Sequence, residues 1–342
     1  MKGYHYVGMD VHKKVIAYCV KQADGTILQE GKIDATRKEL YAFADRLPRP
    51  WIGAMEATLF TGWIYDFLEP LADDLKVGHP YMLRAICVSK KKNDGLDARK
   101  LADAVRCDWF PEAYMPSART RELRAALRYR NLLVGEEVRM KNKTAGLLME
   151  AGAEYNKEKL HGKKYFNSLM DSLDYVPEPV KELARSSHES AKYFGKMQER
   201  MVEALTQAPD LKERVERLTS IPGVGEITAL TWALEVDDPH RFKTVKQAVS
   251  YCGLCSSQKE SAGKLRRAPL SKQRNSHLQS VLIEAANIAK RWNPRLQQVY
   301  DRVLAKRSNK NEATIEVARK LVSYLMCVDR SGERFQMKEN LN

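Results

Sequence analysis

Hydrophobic and polar positions along the chain fall into three successive patterns. From Tyr4 to Ile33 they alternate, or cluster in short β-branched and aromatic runs, which predicts three strands. Tyr4 to Asp10 sets Tyr6, Gly8 and Asp10 on one face, Val15 to Val20 follows, and Asp24-Gly25 is a hairpin signal before Thr26 to Ile33 returns. Helical periodicity then covers about Arg37 to Leu47. Trp51 to Met55 reads as a buried strand ending at Glu56, a helix spans about Gly62 to Leu75, and a short strand lies near Val77. Three strands, then helix, strand, helix, strand and helix, make an α/β pattern that suits a mixed sheet whose first three strands are antiparallel.

Pro111 and Pro116 mark a boundary, beyond which Arg119 to Leu218 is helical and highly charged. Leu123, Leu127, Val134 and Val138 form one apolar stripe. Met197, Met201, Leu205, Ala208, Leu211, Val215 and Leu218 form a longer one, stepping by three and four. Pro177 and Pro179 break the middle and Pro209 starts a fresh helix. The pattern predicts a long coiled-coil-like hairpin, with an ordinary helical bundle as the alternative; the stripe could equally bury against a second copy of the chain. The third stretch opens with IPGVGEITA and continues with helices at about Val245 to Tyr251, Asn275 to Arg291 and Thr314 to Cys327, with a basic loop from Lys259 to Arg274. The domains expected are residues 1–115, α/β; 116–217, a helical hairpin; 218–330, a helical C-terminal domain; and 331–342, a flexible tail.

The 342 residues carry a formal net charge of +14, which points to a polyanionic partner. No apolar run approaches a membrane span, and the N-terminus lacks the apolar core of a signal peptide, so a cytoplasmic protein bound to nucleic acid is expected, with no membrane role. The six cysteines are scattered, as for reduced thiols, and Cys252-x-x-Cys255 has no second pair to complete a zinc site.

Candidate chemistry begins with acids at strand ends. Asp10 closes the first strand and Glu56 the fourth, while Asp94 and Asp97 sit three apart at the start of a helix. At that spacing they share a helix face, although acids also suit a first turn, where Asp94 could simply be an N-cap. In a ribonuclease-H-like sheet the first and fourth strands are neighbours, so Asp10 and Glu56 would meet. Four carboxylates in one place repel unless cations neutralise them, and Mg²⁺ is the natural choice for oxygen ligands. Two such ions can stabilise the attacking and leaving oxygens of a phosphodiester. Asp103, off that face, is left out. Lys90, Lys91 and Lys92 precede the acid pair and suit nucleic acid. In the helix-hairpin-helix-like IPGVGEITA, Gly223 and Gly225 permit a tight turn and close approach of backbone N–H groups to a phosphate, or else make a corner between packed helices. In the basic loop, Lys259, Lys264, Arg266 and Arg267 could grip phosphates beside Ser261. No Walker-type phosphate loop is present, so ATP is not implied.

These residues together resemble the DEDD transposases of bacterial insertion sequences, the bridge-RNA-guided serine recombinases. YVGMDVHKK is similar to that family's opening strand, AMEAT to its glutamate strand, and KKNDGLDARKLA to its acid-pair segment. IPGVGEITA, RFKTVKQAVSYCGL, KESAGK, NSHLQSVLIEAA and EVARKL resemble its C-terminal domain. Departures are Leu59 and Phe60 before Thr61-Gly62, Cys255-Ser256 after Gly253-Leu254, and Ala262 between Ser261 and glycine. The last bears on the choice of Ser261 over Ser256, Ser257 or Ser271. The resemblance implies an N-terminal RuvC/RNase-H-like domain, a helical hairpin and a C-terminal transposase domain. It also implies a Mg²⁺ site of Asp10, Glu56, Asp94 and Asp97, a nucleophilic Ser261, and a tetramer in which acids of one subunit meet the serine of another. The partners implied are donor and target DNA and a noncoding guide (bridge) RNA, in the bacterial cytoplasm at the nucleoid. The competing readings are a RuvC-like Holliday-junction resolvase that uses water, with the serine loop only binding phosphate, and a nucleic-acid-binding factor without catalysis.

Overall fold

A computed structural model describes residues 3–86, 93–261 and 264–337, and the side chains of 85, 86, 258–261 and 264–268 are not described. The chain forms two compact units, residues 1–121 and 122–342; the expected hairpin and C-terminal domain both fall in the second.

The first unit is built on a five-stranded sheet in the order β3-β2-β1-β4-β5. Its strands are β1 (His5–Val11), β2 (Val15–Lys21), β3 (Ile27–Asp34), β4 (Trp51–Glu56) and β5 (Asp74–Gly78). The first three are antiparallel, as the Asp24-Gly25 turn predicts, and β4 lies parallel to β1. This is the neighbour relation expected of a ribonuclease-H-like sheet. The helices of this unit are α1 (Arg37–Arg46), α2 (Thr61–Leu68), α3 (Pro80–Ile86) and α4 (Asp94–Arg106). The α helix expected to reach Leu75 ends at Leu68, a short 3₁₀ turn carries Pro70, and β5 begins at Asp74. Val7, Met9, Ile16, Leu40, Phe43, Trp51, Met55 and Ile64 fill the core on one side of the sheet. On the other side Gly8 decides the packing. A Cβ there would lie 2.0 Å from the Ala98 carbonyl oxygen and 2.4 Å from the Ala102 nitrogen, so only glycine lets α4 rest directly on β1.

The second unit is helical apart from one ribbon. Its helices are α5 (Ala118–Glu150), which starts in the first unit, α6 (Lys163–Ser172), α7 (Glu178–Thr206), α8 (Pro209–Thr219), α9 (Glu226–Val236), α10 (Val245–Tyr251), α11 (Ser276–Trp292), α12 (Pro294–Arg307) and α13 (Lys310–Ser331). α5 and α7 touch at several points along their lengths. Leu127 shares a core with Leu205, Glu137 accepts from Gln198 at 2.6 Å, and Leu148 shares a second cluster with Ala184. The stripe continues into α8 as read, with Leu205, Ala208, Leu211, Val215 and Leu218 buried. Two residues depart from the stripes: Val138 is exposed, and Gln198 is buried beside a half-buried Met197.

Three further differences remain. The basic loop is largely a two-stranded ribbon, β6 (Ser256–Ser261) and β7 (Lys264–Leu270), whose register pairs Ser261 with Lys264 and Lys259 with Arg266. α12 went unpredicted although Leu296, Val299, Tyr300, Val303 and Leu304 recur at helical spacing; of these only Leu296 is fully buried. Near the start of the expected tail, Phe335 packs against Tyr324 in a tilted ring contact, and its N–H donates to Ser220 Oγ at 2.8 Å. Among the described residues, no helix is long and apolar enough to cross a membrane.

Candidate active site

The sheet brings two acids to one edge. β1 and β4 run parallel with Met9 opposite Met55, so Asp10 and Glu56 follow at neighbouring strand ends. α4 starts above this edge because Gly8 lets it lie along β1. Asn93 is its N-cap, accepting from the Gly95 N–H at 3.0 Å. Asp94 is therefore not the cap; it occupies the first turn together with Asp97.

The side chains form a partly shielded charge cluster. His12 Nε2 lies 3.2 Å from Asp10 Oδ2 and 3.6 Å from Asp94 Oδ1, and Lys32 Nζ lies 2.9 Å from Asp94 Oδ2. Burial pushes the Asp10 carboxyl above the usual carboxylate value; His12 opposes that shift, and the charges of Asp97 and Asp94 add to it. Asp94 is held below its usual value, chiefly by the hydrogen bond from Lys32. Asp97 has Lys100 Nζ at 3.8 Å. Asp103, excluded on the sequence, is engaged elsewhere, with buried Lys21 at 2.5 Å and Arg106 at 3.2 Å.

Donor atoms of Asp10, His12 and Asp94 all lie within 4.8 Å of one another, a set that fits a divalent cation. Glu56 and Asp97 are not in that group; Glu56 stands at the end of β4, where its carbonyl accepts from Thr61 Oγ1 at 3.0 Å. Sequence reasoning missed His12 and Lys32. The signal for His12 was the strand alternation itself, since it stands two residues beyond Asp10, at the turn where its N–H donates to the Val15 carbonyl at 3.0 Å.

The remaining candidates belong to the second unit or fall outside the described residues. Lys90, Lys91 and Lys92 are among the residues not described. Ser261, Lys259, Lys264, Arg266 and Arg267 are placed by backbone on the ribbon. Gly223 has φ +90°, and a Cβ there would lie 2.3 Å from Ala289 Cα, so its open face is filled by α11. Gly225 precedes α9 with nothing within 4 Å of its Cβ position, and is the more accessible of the pair. Cys252 is a buried free thiol and Cys255 a half-buried one.

A family model described as Transposase, for the DEDD domain of IS110 elements, matches residues 7–152, and one described as the Transposase IS116/IS110/IS902 family matches residues 215–301. The chain is 25% identical over 286 residues to the transposase for insertion sequence element IS1328 of Yersinia enterocolitica, covering 82% of this chain and 83% of that protein. It is 25% identical over 332 residues to the transposase for insertion sequence element IS1111A of Coxiella burnetii, covering 94% and 88%. The first match runs from within β1 across the other strands and all four acids, and the second runs from the end of α8 through α11 and the ribbon into α12. The two regions matched, in this order, are those of IS110-type transposases, which are enzymes of DNA transfer, and the chain is similar to them over most of its length.

Proposed function

We propose that this protein cuts and rejoins donor and target DNA under the direction of a noncoding RNA, with Mg²⁺ held by Asp10, Glu56, Asp94 and Asp97 and with Ser261 as the nucleophile. The observation that carries this reading is the parallel register of β1 and β4 beneath the first turn of α4, which collects acids from three separate segments at one sheet edge. A divalent ion bound there supplies Lewis acidity to a phosphodiester.

The chain's own residues have separate tasks. The carboxylates provide the negative charge that lets cation and phosphate share a site. His12 and Lys32 hold Asp10 and Asp94 in place and offset their mutual repulsion. The Ser261 hydroxyl is a weak nucleophile until its proton is removed. Its Oγ forms a bond to phosphorus as the bond from phosphorus to one strand oxygen breaks, and that oxygen takes up a proton for the one the hydroxyl gives up. One diester is exchanged for another, so the strand can be rejoined without ATP. Lys264, Arg266 and Arg267 supply positive charge against the extra negative charge on phosphorus. In the proposed tetramer, acids of one subunit and the serine of another share a site, while base pairing to the RNA selects sequence.

Incubating wild type with DNA, its RNA and Mg²⁺ should give a DNA-linked protein that survives denaturation, with peptide mapping placing the link on Ser261. Ser261→Ala should bind nucleic acid but form neither adduct nor recombinant. A link at Ser256, Ser257 or Ser271 overturns the residue assignment. Clean cleavage by the alanine variant overturns the serine mechanism and leaves a water-using resolvase, and efficient recombination by RNA-free protein overturns the guidance.

A further inference from the structure

A positively charged groove in the second unit is used by neither the acid cluster nor the serine. It lies between α12, α13 and the base of the β6–β7 ribbon, has a volume of about 610 Å³, and is lined in part by Ser256, Leu270, Arg302, Lys306, Arg307 and Arg319. Two of its cations are already matched. Arg307 pairs with Glu312 at 2.8 Å; Arg319 pairs with Glu316 and donates to the Leu254 carbonyl at 2.8 Å. Arg302 and Lys306 are exposed and have no ion pair among the described residues. Arg302 also lines an adjoining hollow of about 520 Å³ with Arg295, Lys320 and Tyr324. One arginine thus joins two basic hollows into a single track.

The placement of these charges calls for an anion. Arg302 and Lys306 stand four apart on one face of α12, where like charges repel. Neither is needed to hold α12 down, since that helix packs through Leu296, with Val299 and Tyr300 partly buried against the same core. The track also ends where the ribbon begins. Ser256 and Leu270 pair across the base of the same ribbon whose far end pairs Ser261 with Lys264.

We infer that this groove holds the phosphate backbone of the DNA strand presented to Ser261, with Arg302 and Lys306 as its direct contacts. This rests on the strand-transfer reading above. Each contact releases condensed counterions on binding, so it is read directly from salt dependence.

The test uses the full-length protein, a fluorescein-labelled DNA duplex from an insertion-element end, and a labelled single-stranded RNA of equal length, titrated across a salt series without cleavage. The double variant Arg302→Ala, Lys306→Ala should bind the duplex about tenfold more weakly near 0.1 M salt, with a log Kd against log salt slope shallower by about two. Its thermal unfolding should match wild type. The charge-preserving pair Arg302→Lys, Lys306→Arg should restore both affinity and slope. An unchanged slope in the alanine variant, or a loss confined to the RNA probe, overturns the inference. Because binding is read apart from chemistry, the outcome stands separately from whether Ser261 forms an adduct.

Discussion

The molecule contains two acid centres that treat charge in opposite ways. In the second unit Glu235 is fully buried, yet Arg128 grips both its oxygens at 2.8 Å and Asn275 donates to it at 2.8 Å. Burial alone would raise its carboxyl; the hydrogen bonds from Arg128 and Asn275 outweigh that and hold it below the usual value. Asp329 is built the same way, with Arg214 at 2.7 Å on each oxygen and the Trp232 indole N–H at 2.9 Å. In the first unit Asp10 is less buried but less well matched, and its carboxyl is raised, with neighbouring aspartates contributing. An acid whose charge is answered on every side holds helices together. Acids crowded with incomplete compensation form a group that could bind a divalent cation.

The largest effect that would sharpen this contrast is catalytic. Asp10→Asn should lower strand cleavage by about 10²–10⁴-fold, the several kcal/mol expected of charge stabilisation at such a site. It should leave the denaturant midpoint unchanged or slightly higher, because it relieves crowding. Normal cleavage by this variant would remove Asp10 from the site.

Next comes the structural centre. Glu235→Ala removes the shared partner of Arg128 and Asn275 and should cost about 2–3 kcal/mol in urea unfolding, the exposed Arg128 regaining water while the buried hydrogen bonds are lost. Its pH signature has a definite sign. A carboxyl lowered on folding contributes stability above its ordinary value, 4.5. That contribution is lost as pH falls through the lower folded value, so wild type should lose stability on acidification in a way the variant does not. A loss near that of an ordinary surface substitution would break the comparison.

The smallest effect concerns a third kind of buried ionisable group. His188, in α7, stacks on Phe166 at 3.8 Å, and neither ring nitrogen has a hydrogen-bond partner. Burial, together with the charges of Lys192, His161 and Lys141, pushes it down to about 4 from 6.5. The unfolded chain binds the proton first, so stability should fall as pH drops from about 6.5 towards 4, by at most about 1.4 kcal/mol per pH unit. His188→Leu should flatten that slope in thermal melts; an unchanged slope would assign it to other groups.

How much of this was legible follows from which physical signals reach the sequence. The sheet was readable because strand alternation and Asp24-Gly25 are local, and the meeting of Asp10 with Glu56 followed once the strand order was assumed. Asp94 was read as a metal ligand with a helix cap as its alternative role, and the cap is Asn93, one residue earlier. His12 escaped because it lies past the strand end. The ribbon escaped because KESAGKLRR offers little apolar alternation, its pairing being backbone to backbone. Gly223 was read for its backbone freedom or as a corner between packed helices; its φ of +90° uses that freedom, and the helix it makes room for, more than sixty residues further along the chain, is one that no local pattern identifies.

That contact between Gly223 and Ala289 has an evolutionary consequence. With so little space between a turn and a helix backbone, neither position can enlarge on its own, and a methyl at 223 would displace α11. Substitution in either place demands a compensating shift of α11, which also carries Asn275, partner of Glu235, as its N-cap. Lineages should therefore keep glycine at 223 and a small residue at 289 as a linked pair, wherever the intervening sequence drifts.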